Sequence, residues 1–162
     1  GLKRKKFLNN ELDGQKIDRV ELENPDFAKA MNKNGLEQKF DDSMQIGMTA
    51  SYKGKHWFNK AGDAIKSGNM VEGESFKMEG MSQLVKQYKN IYKPRRDLID
   101  MKGIRQVDDS NMRQLINLME KAVNLEKSPS YVDGLVKQSG FSSLNEFADA
   151  FGSRIASMSD ML

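Results

Sequence analysis

The sequence predicts a mainly α-helical protein, with a carboxyl-terminal unit of three consecutive helices and a more irregular amino-terminal half that contains one β-hairpin. Three observations predict this. Residues 111–158 carry helix starts, helix stops and apolar periodicity that agree with one another. A stretch around residue 48 alternates apolar and polar residues, as a half-buried strand does. Six of the thirteen glycines lie between Gly47 and Gly80, which favours turns and flexible links there.

These patterns divide the 162 residues into three segments. A basic arm covers residues 1–6, an irregular region with a short helix and the hairpin covers 7–74, and a helical region covers 75–162. The length suffices for one domain that buries roughly two thirds of its unfolded surface. Because 30% of the residues are charged and 38% are hydrophobic, the chain is more polar than an average globular protein. That balance favours exposed arms or a core completed by a partner.

The irregular region begins with a short amphipathic helix, started by Asn24 and Pro25 and ended by Gly35. The predicted strand follows at residues 44–52. A turn at residues 53–55 then lets residues 56–58 return as the second strand of the hairpin. Since an isolated hairpin is unstable in water, we expect it to lie on helices or on another chain.

The helical region opens with a helix from about Ser75 that Pro94 stops near Lys93. The next helix starts at about Ser110, behind two aspartates that suit the positive end of a helix dipole. Ser128 and Pro129 start the second helix of the carboxyl-terminal unit, and Gly140 ends it. Ser143 and Glu146 stand at capping-box spacing and start the last helix.

The segment Ser139-Gly140-Phe141-Ser142-Ser143, followed by Glu146-Phe147, resembles the turn between the two helices of ribbon-helix-helix DNA-binding proteins. That family also has a short basic strand directly before its first helix. Here the helix of residues 111–125 and then Glu126-Lys127 occupy that place. The resemblance therefore implies shared capping chemistry, and no DNA-contacting residue follows from it.

The composition favours a protein that is not an enzyme and binds no metal or cofactor. The chain has no cysteine, which excludes a disulfide framework, a thiolate zinc site and a cysteine nucleophile. It has one histidine, His56, on which any catalytic triad would have to be built, and we expect this side chain to stack beside Trp57. Adjacent carboxylates such as Asp108-Asp109 are more typical of helix caps than of acid-base chemistry. An enzyme working through His56 is a distant alternative.

No apolar run is long enough to span a membrane, so the sequence predicts a soluble protein, with the virion or the cytoplasm as the expected location. Its first residue is Gly1 rather than methionine, which a tag remnant, a truncated chain or a processed precursor would each explain.

The main functional prediction is a non-enzymatic structural or assembly protein that packs against other chains of a larger complex, including copies of itself, with a virus or phage particle as the expected setting. Three observations motivate it: the sequence has no catalytic or metal-binding signature, its first half is polar and punctuated by glycines, and its first residue is typical of a processed end. The eleven methionines favour docking of the last apolar stripe into a partner, because methionine suits adaptable contact surfaces. The predicted partner-binding residues come from the hairpin and the end of the last helix: Met44, Ile46, Met48, Tyr52, Trp57, Phe58, Met158, Met161 and Leu162.

The alternative is a nucleic-acid-binding protein. Seven basic residues face only two acidic ones between residues 86 and 105, and Tyr88 and Tyr92 interleave with them. Cations for phosphates and rings for stacking are the composition of nucleic-acid grooves. The predicted contacts are in the arm and in this basic segment: Lys3, Arg4, Lys5, Lys6, Lys86, Lys89, Lys93, Arg95, Arg96, Lys102 and Arg105.

Overall fold

The computed structural model describes residues 42–125 and 128–162, and in those ranges it has helices and no strand. Predictions that concern the basic arm, the short helix at Asn24 and residues 126–127 lie outside the described residues. The helices are α1 (Asp42–Lys66), α2 (Met70–Gln87), a π-helical turn (Tyr88–Tyr92), α3 (Lys93–Met101), α4 (Ser110–Asn124), α5 (Pro129–Gln138) and α6 (Leu144–Met161).

The predicted β-hairpin is wrong, because residues 44–58 all belong to α1, a helix of 25 residues. The period-two pattern arose because Gly47 and Ser51, which are small, occupy positions that would face solvent in a strand. Gly47 and Ser51, four residues apart, instead lie on one side of a helix and face α6. In an alternating pattern, a small residue at a close contact between two helices looks the same as a solvent-facing residue of a strand.

Helices α1 and α2 form an antiparallel pair, and glycines let their backbones approach each other closely. A Cβ atom on Gly54 would come within 2.8 Å of the Leu84 side chain, and one on Gly80 would lie 3.1 Å from the carbonyl oxygen of Gly54 and overlap Phe58. One further heptad along the pair, a Cβ on Gly73 would lie 3.3 Å from the carbonyl oxygen of Ala61. The expectation of flexible links is therefore wrong for these glycines. Gly68 does form the turn between the helices, with φ of 83°.

The helix that follows does not stop at Pro94. Helix α2 starts at Met70, earlier than expected, and the chain passes through the π-helical turn into α3, whose second residue is Pro94. A proline has no amide hydrogen and its ring crowds the preceding turn, so an ordinary helix breaks there. The wider π-helical turn accommodates the proline without ending the helical path.

The three helices of the carboxyl-terminal unit are confirmed. Helix α4 begins at Ser110 and α5 begins at Pro129, as predicted. Gly140 takes a φ of 95° directly after α5. The Ser143 hydroxyl accepts a hydrogen bond of 3.1 Å from the Glu146 amide, which caps α6. The Glu146 carboxylate accepts from Ser142 rather than from the Ser143 amide, one residue away from the ideal capping box.

The core lies where α6 crosses α1 and packs on the π-helical turn. Phe151 stacks on Tyr92 with ring centroids 5.4 Å apart, and Phe147 lies next to Phe151 at 6.3 Å. All three side chains are fully buried. At the crossing itself a Cβ on Gly152 would come within 2.7 Å of the Ser51 Cβ and overlap the Gly47 carbonyl oxygen. Helix α1 is thus part of the same packed body as the carboxyl-terminal helices.

Candidate functional site: the groove between α1 and α6

The predicted basic segment does not form one continuous cationic face. Lys89 pairs with Glu120 at 2.9 Å, and Lys93 pairs with Asp97 at 2.9 Å. Arg95 donates to the Ser159 hydroxyl at 2.8 Å and to the Ile91 carbonyl at 3.1 Å. Five members of the segment are exposed, namely Lys86, Lys89, Lys93, Lys102 and Arg105, and two of these, Lys89 and Lys93, form the ion pairs just described. The arm residues Lys3, Arg4, Lys5 and Lys6 lie outside the described residues.

The two tyrosines of this segment are core residues. Tyr92 is fully buried and Tyr88 nearly so, with ring centroids 5.2 Å apart. Their hydroxyl groups face charged side chains from elsewhere in the fold, since Arg113 Nε donates to the Tyr88 hydroxyl at 3.3 Å. The rings expected to stack on bases are therefore packed inside the protein.

A polar network centres on Asp109, which is buried. Its Oδ2 atom accepts a hydrogen bond of 2.6 Å from the Tyr92 hydroxyl and one of 3.1 Å from Arg96 Nε. Arg96 also pairs with Asp100. This network ties α3 and the π-helical turn to the start of α4, and it explains why Asp109 makes no side-chain cap there.

The charges of the network follow from these contacts. Burial by itself opposes ionisation of Asp109, but the hydrogen bonds from Tyr92 and Arg96 outweigh it and hold the pKa of the carboxyl below its usual value. Burial, with the hydrogen bond to Asp109, raises the pKa of Tyr92 well above its usual value. The network is consequently a fixed arrangement of a carboxylate, a neutral phenol and a guanidinium at ordinary pH.

The predicted partner-binding residues separate into two groups. Met44, Met161 and Leu162 are exposed, and Met48 and Trp57 are partly buried. The others, Ile46, Tyr52, Phe58 and Met158, are buried in this chain. The Trp57 ring lies 5.0 Å from the His56 ring in an edge-to-face arrangement, within a helix rather than a hairpin.

The exposed Met44 and the partly buried Met48 line a groove of about 390 Å³ between α1 and α6. Its centre is the Gly47 and Gly152 crossing, and Met44 and Met48 stand on the α1 side. At the other end Lys55 Nζ lies 2.9 Å from Asp149 Oδ1, which also accepts a hydrogen bond of 3.0 Å from the Ser51 hydroxyl. The groove therefore joins an apolar, methionine-rich part to an ion pair at its rim.

Sequence reasoning found the methionines of this groove and missed Gly47, Ser51, Lys55, Asp149 and Gly152. The missed residues belong to two distant segments, with Ser51 and Asp149 98 residues apart, and the helical state of α1 brings them together. One signal was available: small residues recur at Gly47, Ala50, Ser51 and Gly54, a spacing typical of a close helix contact.

Two further observations bear on chemistry in the described ranges. No group of three or more histidine or acidic side chains is close enough together to hold a metal ion. No helix in those ranges is both long and apolar enough to cross a membrane. A scan against protein-family models and searches of curated proteins and solved structures return no match to this chain.

Proposed function

We propose that this protein is a non-enzymatic assembly protein that packs against other chains of a larger complex, and that the groove between α1 and α6 receives a second copy of the chain. One observation carries the proposal. The groove places unbranched methionine side chains beside a glycine crossing and ends in an ion pair. A surface of this kind offers apolar contact and a fixed charge pattern together.

Methionine supports a contact role because its flexible, polarisable side chain adapts to the shape of a partner. Met44 is 42% exposed although it lies directly beside the packed α1–α6 crossing. Two further exposed apolar side chains, Leu98 and Leu162, line a second groove beside the first residues of α1. Leu98 of α3 and Leu162, which directly follows α6, therefore lie beside the start of α1.

The ion pair favours a second copy as the partner. In a two-fold symmetric dimer each surface meets itself, so a patch that carries one cation and one anion is complementary to its own copy. Lys55 of one protomer would then face the partner's Asp149 while the methionines meet between them. The Asp149 side chain is 57% exposed and thus accessible to such an exchange.

The test is the molar mass of the purified full chain by light scattering, measured over a hundredfold range of concentration. We expect the wild type to shift from one chain towards two, and Met48→Asp to weaken self-association at least tenfold. Val71→Asp is the matched control, because Val71 is exposed at the start of α2 outside the groove. A wild-type mass of one chain at every concentration contradicts the proposal.

The alternative function is nucleic-acid binding through the basic arm of residues 1–6 and the basic segment from Lys86 to Arg105. Lys86, Lys102 and Arg105 support it, whereas the paired members of the segment support it less. Replacing these three by glutamine is expected to weaken binding to single-stranded or double-stranded DNA at low salt and to lower its salt dependence, since phosphate contacts act by releasing counterions. Absence of binding by the wild type at low salt removes this alternative.

A further inference from the structure

Helix α1 has a polar side that faces away from α2. At 100° per residue, Gly54, Phe58 and Ala61 share the side that packs on α2. Four polar residues fall on roughly the opposite side, and we call them the outer face: Gln45, Thr49, Lys53 and His56. The outer face is unrelated to the groove, which lies along the side of α1 that meets α6.

The outer face is buried although its residues are polar. The exposed fractions are 0% for Gln45, 3% for Thr49, 6% for Lys53 and 2% for His56. The amide nitrogen and oxygen of Gln45 and the hydroxyl of Thr49 have no hydrogen-bond partner among residues 42–125 and 128–162. Buried polar groups in folded proteins almost always have partners, so whatever covers this side of α1 must offer polar groups to it.

We propose that the outer face is the docking surface for the residues that precede α1, within residues 1–41 of the same chain. The position of this segment supports the assignment, because it joins α1 at Asp42, less than one helical turn from Gln45. Its length supports it as well. The outer face extends for about 21 Å from Asp42 to His56, whereas 41 extended residues span up to about 135 Å.

Charge complementarity specifies the contact further. A buried ammonium group is stable only beside an opposite charge, and Lys53 lies in the middle of the outer face. The part of the segment next to α1 supplies carboxylates in excess: from Phe7 to Asp41 the sequence has eight acidic residues against five basic ones, while the four basic residues of the arm lie at the far end, within residues 1–6. Backbone amides and carbonyls of the same segment would serve Gln45 and Thr49, which an apolar partner helix would leave unsatisfied.

The first test is hydrogen exchange of the full chain followed by mass spectrometry. In the wild type we expect peptides within residues 7–41 to include amides at least tenfold slower than those of an unstructured peptide. Thr49→Arg should remove that protection, and Asp63→Arg, at an exposed position of the same helix, should leave it unchanged. Exchange at the unstructured rate throughout residues 7–41 of the wild type overturns the proposal.

The second test uses the unsubstituted chain and therefore decides the question even where Thr49→Arg unfolds α1. Zero-length carbodiimide cross-linking joins neighbouring ammonium and carboxylate groups. We expect Lys53 to be joined to an acidic residue within residues 11–41 of its own chain. Mixing ¹⁴N- and ¹⁵N-labelled protein identifies the source of each carboxylate. Links only between differently labelled chains, which indicate a second copy, or no link from Lys53 to this segment, overturn the proposal.

Discussion

The α1–α2 pair and the carboxyl-terminal helices α4 to α6 are packed by different means. In the carboxyl-terminal helices, large apolar side chains such as Phe147 and Phe151 fill the space between helix axes. In the α1–α2 pair, and where α1 crosses α6, glycines let the backbones approach each other directly. A core built of large side chains is visible in a sequence as an apolar stripe. A helix contact built on glycines is visible in a sequence only as a regular spacing of small residues.

The largest loss of stability is expected in the carboxyl-terminal helices, where large apolar side chains fill the core. Phe151 is fully buried and stacks on Tyr92, so Phe151→Ala should lower the free energy of unfolding by about 3 to 5 kcal/mol. Phe147→Ala should do the same for the same reason. Chemical denaturation followed by circular dichroism measures both. A loss below about 1 kcal/mol at both positions would mean that these rings are not core residues.

The second prediction concerns the glycine contact. Gly152→Ala should lower the free energy of unfolding by about 1 to 3 kcal/mol, because the new Cβ overlaps the Gly47 carbonyl oxygen and α1 must shift. The matched control is Gly62→Ala in α1, where a Cβ meets nothing within 4 Å. The control should raise the free energy of unfolding by about 0.5 to 1 kcal/mol through helix propensity. Equal effects at the two sites would contradict the proposed close crossing.

The third prediction concerns the polar network. Asp109→Asn should lower the free energy of unfolding at pH 7 by about 1.5 to 3 kcal/mol, the range for hydrogen bonds to a charged group. Because the pKa of Asp109 is lowered in the folded state, its stabilisation is fully present above the pKa of the unfolded state. It is lost as the pH falls through the folded-state pKa.

Urea unfolding between pH 7 and pH 3 measures this dependence. The difference in stability between wild type and Asp109→Asn should shrink as the pH approaches 3. Tyr92→Phe is the control for the phenol, since it removes the 2.6 Å hydrogen bond and keeps the ring. A pH-independent difference between wild type and Asp109→Asn would show that the carboxylate charge contributes nothing.

The smallest expected effect is at the cap of α6. Ser143→Ala removes the acceptor for the Glu146 amide and should cost about 1 kcal/mol. Thermal unfolding gives the value. Ser142→Ala is the comparison, because the Ser142 amide still donates to Glu146 after its hydroxyl is gone. A larger loss for Ser142→Ala than for Ser143→Ala would contradict this assignment of the cap.

The comparison also explains which parts of the fold were predictable. The carboxyl-terminal helices were predictable because the sequence has cap residues at Ser128 and Ser143 and a helix-ending glycine at Gly140. Helix α1 does not, because Gly47, Thr49 and Ser51 have low helix propensity, and tertiary contacts with α6 override that preference. The continuation through Pro94 was also unpredictable, since it depends on a π-helical turn that has no sequence signature.

The groove was predictable only in part. Met44 and Met48 were predicted to bind a partner from a strand, and they line the groove from a helix, while their contact with a partner stays a prediction. Lys55 and Asp149 were not singled out, since nothing in a sequence indicates that two charges 94 residues apart will lie 2.9 Å from each other. Lys93, Arg95 and Arg96 were grouped by charge, while their acidic and polar partners come from several helices.

The most direct test of the account is amide hydrogen exchange of the free full chain, comparing α1 with α6. If α1 is locked to α6 through Gly47 and Gly152, amides of residues 50–61 should exchange as slowly as those of residues 147–155, because local stability follows buried contacts. If residues 7–74 were an irregular region, as the sequence predicts, amides of residues 50–61 would exchange much faster than those of residues 147–155. Exchange of residues 50–61 a hundredfold faster than that of residues 147–155 would contradict a single packed body built around α1.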